Sequence, residues 1–215
     1  MPPIGIRRWR WSRNSRAGRE SLKYPTAIEY KTLMINLPRL AACLALILSC
    51  AVFAAEPEIV VGVEKAGDTF LVDAGVDLPV PVRMAWDVLT DFDAMASILS
   101  NLQSSRIVRH DGNTLFVLQE GTAKFGIFSY SFNSMREIRL EPMQRIIARQ
   151  LTGTASSFAS DTVLSENERG TRVHYHAEIA PGSAIARMFG GPFIRHEVEE
   201  QLRAMAAEVA RRQSF

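Results

Sequence analysis

Beyond residue 55 the chain has no cysteine; its only two, Cys43 and Cys50, lie in an apolar stretch near the N-terminus. A disulfide framework, a thiolate metal centre and a cysteine nucleophile are thereby excluded from the rest of the chain. Long apolar runs are also scarce. The longest uncharged stretch, residues 40–55, has sixteen residues, short of the roughly 20 that cross a bilayer as a helix. A basic surplus is missing as well, once position is considered. The whole chain carries a formal charge of +2, but eight of its Lys and Arg fall in residues 1–33. From residue 55 onward sixteen basic residues face twenty-one acidic ones, a formal charge of −5. Nucleic-acid binding needs a basic face, so no nucleic-acid partner is expected. No nucleophile motif, paired-carboxylate signature, phosphate-cradling glycine loop or HExxH helix occurs. Hydrolase, kinase and metalloprotease chemistry are disfavoured, and no catalytic residue or cofactor is assigned.

The uncharged stretch matches the hydrophobic region of an export signal. Met34-Ile-Asn-Leu-Pro-Arg39 makes a short n-region, and Val52-Phe53-Ala54 places small residues where a signal peptidase would cut before Ala55. The expected organisation is therefore an extension ahead of the true start (1–33), a signal peptide (34–54) and one functional domain (55–215). A cysteine-free domain suits an oxidising compartment such as the periplasm. Leu40-Ala41-Ala42-Cys43 and Ile47-Leu48-Ser49-Cys50 are imperfect lipoprotein boxes. They keep a lipid-anchored form as an alternative.

The domain reads as strands, then helix, then strands, then one long helix. Ile59–Val63 and Phe70–Val76 flank the turn Lys65-Ala-Gly-Asp68. Val82, Ala85, Trp86 and Leu89 recur at helical spacing after Pro81, and a short helix is expected over Met95–Leu99. Arg106–His110 and Thr114–Leu118 flank Asp111-Gly112-Asn113, the clearest hairpin. Further strands are expected over Ile127–Leu140, Arg145–Thr152, Ser156–Ser165 and Thr171–Ile179. At the C-terminus the period changes. Ile194, Val198, Leu202, Met205 and Val209 form one apolar stripe, with a break at Gly190-Gly191 and Pro192 in the first turn. Ser183–Phe189 is a candidate short helix before that break. A sheet with one apolar face and a single long amphipathic helix is stable when the sheet curls around the helix. The fold class is thus α+β, a curved antiparallel sheet around a C-terminal helix with two short helices after the first strands.

This order of elements resembles the helix-grip fold of START lipid-transfer domains, polyketide cyclases/dehydrases and coenzyme Q-binding proteins, the SRPBCC superfamily. The most specific stretch is Val80-Pro-Val-Arg-Met-Ala-Trp86-Asp-Val-Leu-Thr-Asp91-Phe-Asp93, and Gly170-Thr-Arg-Val173 resembles the usual turn into the last strand. Ser100 stands where the family often has proline. The resemblance implies a hydrophobic or amphipathic ligand, lipid- or quinone-like, held between sheet and helix. It does not choose among carrier, cyclase and binding module.

Cavity-lining candidates are Phe116, Phe128, Tyr130, Phe132, Phe158, Tyr175, Met188, Phe189 and Phe193. Met188–Phe193 is also an apolar patch fit for transient membrane contact. His174, His176 and Glu178 share one strand face and have ligand-type side chains. The opposite face carries Val173, Tyr175, Ala177 and Ile179, so the His face reads as solvated and no metal site is assigned. Arg136, Arg139, Arg145 and Arg149 interleave with Glu137 and Glu141 as a salt-bridged sheet face, where one arginine is able to bind an anionic headgroup. The leading expectation is an exported, non-enzymatic binder or carrier of a hydrophobic molecule. Its rivals are a cyclase/dehydratase using Asn133, Tyr130 or His176, and an envelope protein-interaction module.

Overall fold

In the computed structural model the described residues run from 57 to 214, without the side chains of 125, 128 and 184–189. Cys43, Cys50 and the expected extension and signal peptide lie outside the described residues, as does Ala55. Eight strands and three helices follow in the order β1 (Ile59–Ala66), β2 (Thr69–Leu78), α1 (Val82–Leu89), α2 (Met95–Ile98), β3 (Leu102–Asp111), β4 (Thr114–Phe125), β5 (Phe128–Glu141), β6 (Arg145–Gly153), β7 (Ser157–Asn167), β8 (Gly170–Ala180) and α3 (Ala184–Gln213).

The strands form one antiparallel sheet ordered β1-β2-β8-β7-β6-β5-β4-β3. Six of its seven pairings join neighbours in sequence, each made by a short turn. The exception is β2 with β8, registered from Phe70 opposite Ile179 to Leu78 opposite Thr171. Strand alternation then decides the faces. Val72 and Val76 of β2, Val117 of β4 and Val173 of β8 point to the same buried interior. Helix α3 supplies Ile194, Val198, Leu202, Ala206 and Val209 to it, with Met205 packed at the margin. Fully buried aliphatic side chains of this kind stabilise by roughly 1.5–3 kcal/mol each. This is the helix-grip fold.

Two short devices pin the ends. Asp91, just beyond α1, accepts a hydrogen bond from Arg212 Nη2 at 2.8 Å, tying the C-terminal end of α3 down. Asp93 Oδ1 accepts the Ile107 backbone N–H at 2.8 Å. The aspartates of the Thr90-Asp91-Phe92-Asp93 segment therefore hold elements together. At the entry to β8, buried Thr171 donates its hydroxyl to the Val80 carbonyl at 2.8 Å.

The Gly190-Gly191-Pro192 segment behaves differently from its sequence expectation. It does not break the helix: α3 is continuous from Ala184 to Gln213, with Pro192 inside it, so there is no separate helix over Ser183–Phe189. The glycines serve close packing instead. A Cβ on Gly190 would stand 2.9 Å from the Phe70 ring, so the missing side chain is what lets α3 approach β2. The strands also run longer than local signals indicate, because pairing with β4 carries β3 back to Leu102.

Gly170 adopts φ +130°, and a Cβ there would meet the Leu78 carbonyl oxygen at 2.4 Å and the Val80 nitrogen at 2.7 Å. Both the backbone conformation and the space exclude a side chain. Gly170→Val is expected to lower unfolding stability by about 2 kcal/mol or more, measurable by urea denaturation. A loss under about 0.5 kcal/mol would show that this turn is not under the stated constraint.

Candidate functional site

The interior is packed unevenly. Near the C-terminal half of α3, side chains fill the space between helix and sheet. Near its N-terminal half they do not, and a partly open cavity of about 540 Å³ remains. Its sheet wall comes from inward positions of β5 (Tyr130, Phe132, Ser134, Arg136), Gln150 of β6, Phe158 of β7, and Tyr175 and Ile179 of β8. Ala123 of β4 closes one side. The helical wall is Phe193, Ile194, Glu197, Val198 and Gln201, and Asn101 reaches in from the α2–β3 connection.

Of the nine candidate lining residues, Tyr130, Phe132, Phe158, Tyr175 and Phe193 line this cavity. The Tyr130 and Phe193 rings meet edge-on, 6.4 Å between centroids and 75° apart, bridging sheet and helix. Phe116 is not among the lining residues. Strand alternation puts Leu115 and Val117 inside and Phe116 on the opposite face, where Arg109 stacks on its ring at 3.6 Å. The side chains of Phe128, Met188 and Phe189 lie outside the described ones.

His176, named above for possible enzymatic work, is outside the cavity. His174 Nε2 and His176 Nδ1 each lie 3.2 Å from one oxygen of the exposed Asp73 carboxylate, on the outer sheet face. Among the described residues no group of three or more His, Cys, Asp or Glu is arranged to hold a metal ion. The arginine cluster divides. Arg139 pairs with Glu137 at 3.0 Å and Arg145 with Asp161, both on the outer face. Arg136 instead shares the inner face with Phe132 and Ser134 and stacks 4.3 Å over the Phe158 ring.

The polar groups of the cavity were mostly missed by sequence reasoning. Phe193, Glu197 and Gln201 are four residues apart, one row beside the stripe Ile194–Val198–Leu202, and that spacing is the signal that places Glu197 on the wall. Asn101 donates from Nδ2 to Glu197 Oε2 at 2.7 Å. Asn101 is itself fixed, because its carbonyl accepts the Thr122 N–H at 2.8 Å. Burial raises the Glu197 carboxyl above the usual range, and the Asn101 hydrogen bond opposes that rise. Burial also lowers the Arg136 guanidinium and raises the phenols of Tyr175 and Tyr130. The site is thus an apolar, aromatic chamber with a small set of ionisable groups whose charged forms are held against desolvation.

Residues 78–206 match the family described as polyketide cyclase / dehydrase and lipid transport. The chain belongs to that family. Solved structures of similar fold include the Zhui aromatase/cyclase from Streptomyces sp. R1128, at 17% identity and TM-score 0.59 over 67% of this chain and 95% of that one. The STAR-related lipid transfer protein fragment from Xanthomonas axonopodis gives 11% identity and TM-score 0.60, over 73% and 95%. A START superfamily protein from Mycobacterium smegmatis gives 9% and 0.58, over 66% and 97%. No curated protein matches the sequence. This polyketide cyclase and lipid-transport family member therefore has a START-like fold, with the cavity between sheet and α3.

Glu197 offers a direct check on the cavity's electrostatics. A carboxyl whose pKa is raised by folding costs stability above that pKa and regains it as pH falls through it. Glu197→Gln removes the cost and keeps an acceptor for Asn101. Its unfolding temperature at pH 7 should exceed that of the wild type, with the gap shrinking toward about pH 4. A variant less stable than wild type at pH 7 would contradict a desolvated Glu197.

Proposed function

We propose that the chain is an exported protein that binds or carries one hydrophobic small molecule, lipid- or quinone-like, between the sheet and α3. The observation that carries this reading is the cavity itself. Its 540 Å³ falls within the roughly 300–1,000 Å³ of small-molecule sites, and its lining is mainly apolar and aromatic, as such sites are. The family's lipid-transport members support a hydrophobic ligand. Export to the periplasm or beyond rests on the signal-like stretch at residues 34–54. No helix of the described residues is long and apolar enough to cross a membrane. Transient membrane contact is supported by Ile127, 95% exposed at the β4–β5 tip beside the lining residues Ser129 and Tyr130.

One observation favours a second reading, a cyclase/dehydratase-like enzyme: Arg136, Glu197, Tyr130 and Tyr175 converge on the same cavity. Convergent ionisable groups with shifted pKa values are what acid–base catalysis requires. The protein-interaction reading has less support, since the exposed large apolar residues of the described part other than Ile127, namely Val60, Val108, Leu151 and Val163, sit singly on four different strands.

Native mass spectrometry of gently purified protein, followed by organic extraction, tests the carrier reading. A stoichiometric apolar adduct is expected. Ala123 is small, buried and lines the cavity, so Ala123→Trp should fill it, abolish the adduct and leave the circular dichroism unchanged. Protein that stays empty after incubation with membrane extract would overturn the carrier reading and leave the enzymatic one.

A further inference from the structure

Three buried side-chain atoms among the described residues have no hydrogen-bond partner: Asn101 Oδ1, Ser134 Oγ and Arg136 Nε. All three belong to residues that line the cavity between sheet and α3. Buried polar atoms in folded proteins are nearly always satisfied, and leaving one unpaired costs roughly 1–3 kcal/mol. Three such atoms gathered in a single chamber therefore mark groups that the protein holds ready for something it does not itself supply.

The most demanding of them is Arg136. Arg139 and Arg145 pair with carboxylates on the solvated face, but Arg136 is turned inward. Its guanidinium carbon sits 4.3 Å over the centre of the Phe158 ring. No carboxylate forms an ion pair with it among the described residues. Glu197, the acid of the same cavity, is engaged by Asn101 on the helical wall. A desolvated cation without a counter-charge is among the costliest things a protein interior can hold. Its five N–H donors suit a planar or tetrahedral oxyanion. Ser134, two residues earlier on the same strand face, adds a hydroxyl on the same side.

We propose that the ligand is an anionic amphipath, with one acid group seated on Arg136 and Ser134 and an apolar body lying against Phe132, Phe158 and Phe193. This rests on the carrier reading and sharpens it. Glu197 on the opposite wall disfavours a second acid group, so the chamber selects a monoacid. The geometry does not depend on whether the apolar body is an acyl chain or an aromatic system, since Arg136 reads only the acid.

The test uses two fluorophores with one skeleton, anilinonaphthalene sulfonate and the uncharged phenylnaphthylamine, titrated into full-length protein delipidated on hydrophobic resin. Wild type should bind the sulfonate about tenfold more tightly or better, the scale of one charge-assisted hydrogen bond. Arg136→Gln and Arg136→Met should each remove that preference and keep affinity for the uncharged probe, which also shows that the cavity is still folded. Arg149→Gln, an exposed outer-face change, should alter neither affinity. Displacement of the sulfonate by dodecanoate assigns an acyl body, by naphthoate an aromatic one. Equal binding of the two probes by wild type, preference retained in both Arg136 variants, or displacement by neither acid would overturn the proposal and leave the carrier reading standing. Failure of both probes to bind wild type would overturn the carrier reading itself.

Discussion

One helix against a strongly curved sheet of eight strands is the constraint from which the rest follows. The sheet presents a continuous inner face, and α3 is too narrow to cover all of it. Where α1 packs against α3, β7 and β8, the mismatch is closed by side chains such as Trp86, Val173 and Val209. Where only the N-terminal half of α3 faces β5 to β8, nothing closes it. The cavity is thus the unfilled part of an otherwise ordinary core. One edge is fixed by the close approach of Gly190, itself a lining residue, to Phe70.

That geometry explains why polar groups gather there. An inward strand position normally takes an aliphatic side chain, because a buried polar atom without a partner is costly. The same position beside a cavity admits Ser134, Arg136 or Gln150, since a ligand or solvent can supply the missing partner. The stability given up in holding Arg136 on Phe158 and Glu197 on Asn101 becomes selectivity for what enters. Binding sites commonly show this exchange of stability for specificity.

Much of the fold was legible in the sequence because it is written in period and punctuation. The two-residue alternation in Ile127–Leu140 and Thr171–Ile179 named both faces, and the helical stripe Ile194–Val209 named the partner. Aromatic residues on the inner phase, Tyr130, Phe132, Phe158 and Tyr175, came with them. Phe116 was misplaced because no long alternating run surrounds it, and a one-residue error in phase moves a strand residue to the other face. Arg136 was legible and overlooked. It stands on the same phase as Phe132, but its neighbours Arg139 and Glu137 made it look like part of a solvated charge cluster. Gly190-Gly191-Pro192 is the reverse case: a strong local stop signal that tertiary packing against Phe70 overrides. Asn101 could not be found at all from local pattern, since only the fold brings a loop before β3 to a glutamate 96 positions later.

The space beside Arg136 is proposed as a site and not a packing defect. A crystal structure of the protein as purified from its expressing cells, refined without ligand, tests it most directly. Continuous difference density is expected between β5 and α3, with its polar end within hydrogen-bonding distance of Arg136 Nε and Ser134 Oγ and its body along Phe158 and Phe193. A chamber closed by rearranged side chains, with Arg136 swung out to pair with a surface carboxylate, would contradict it.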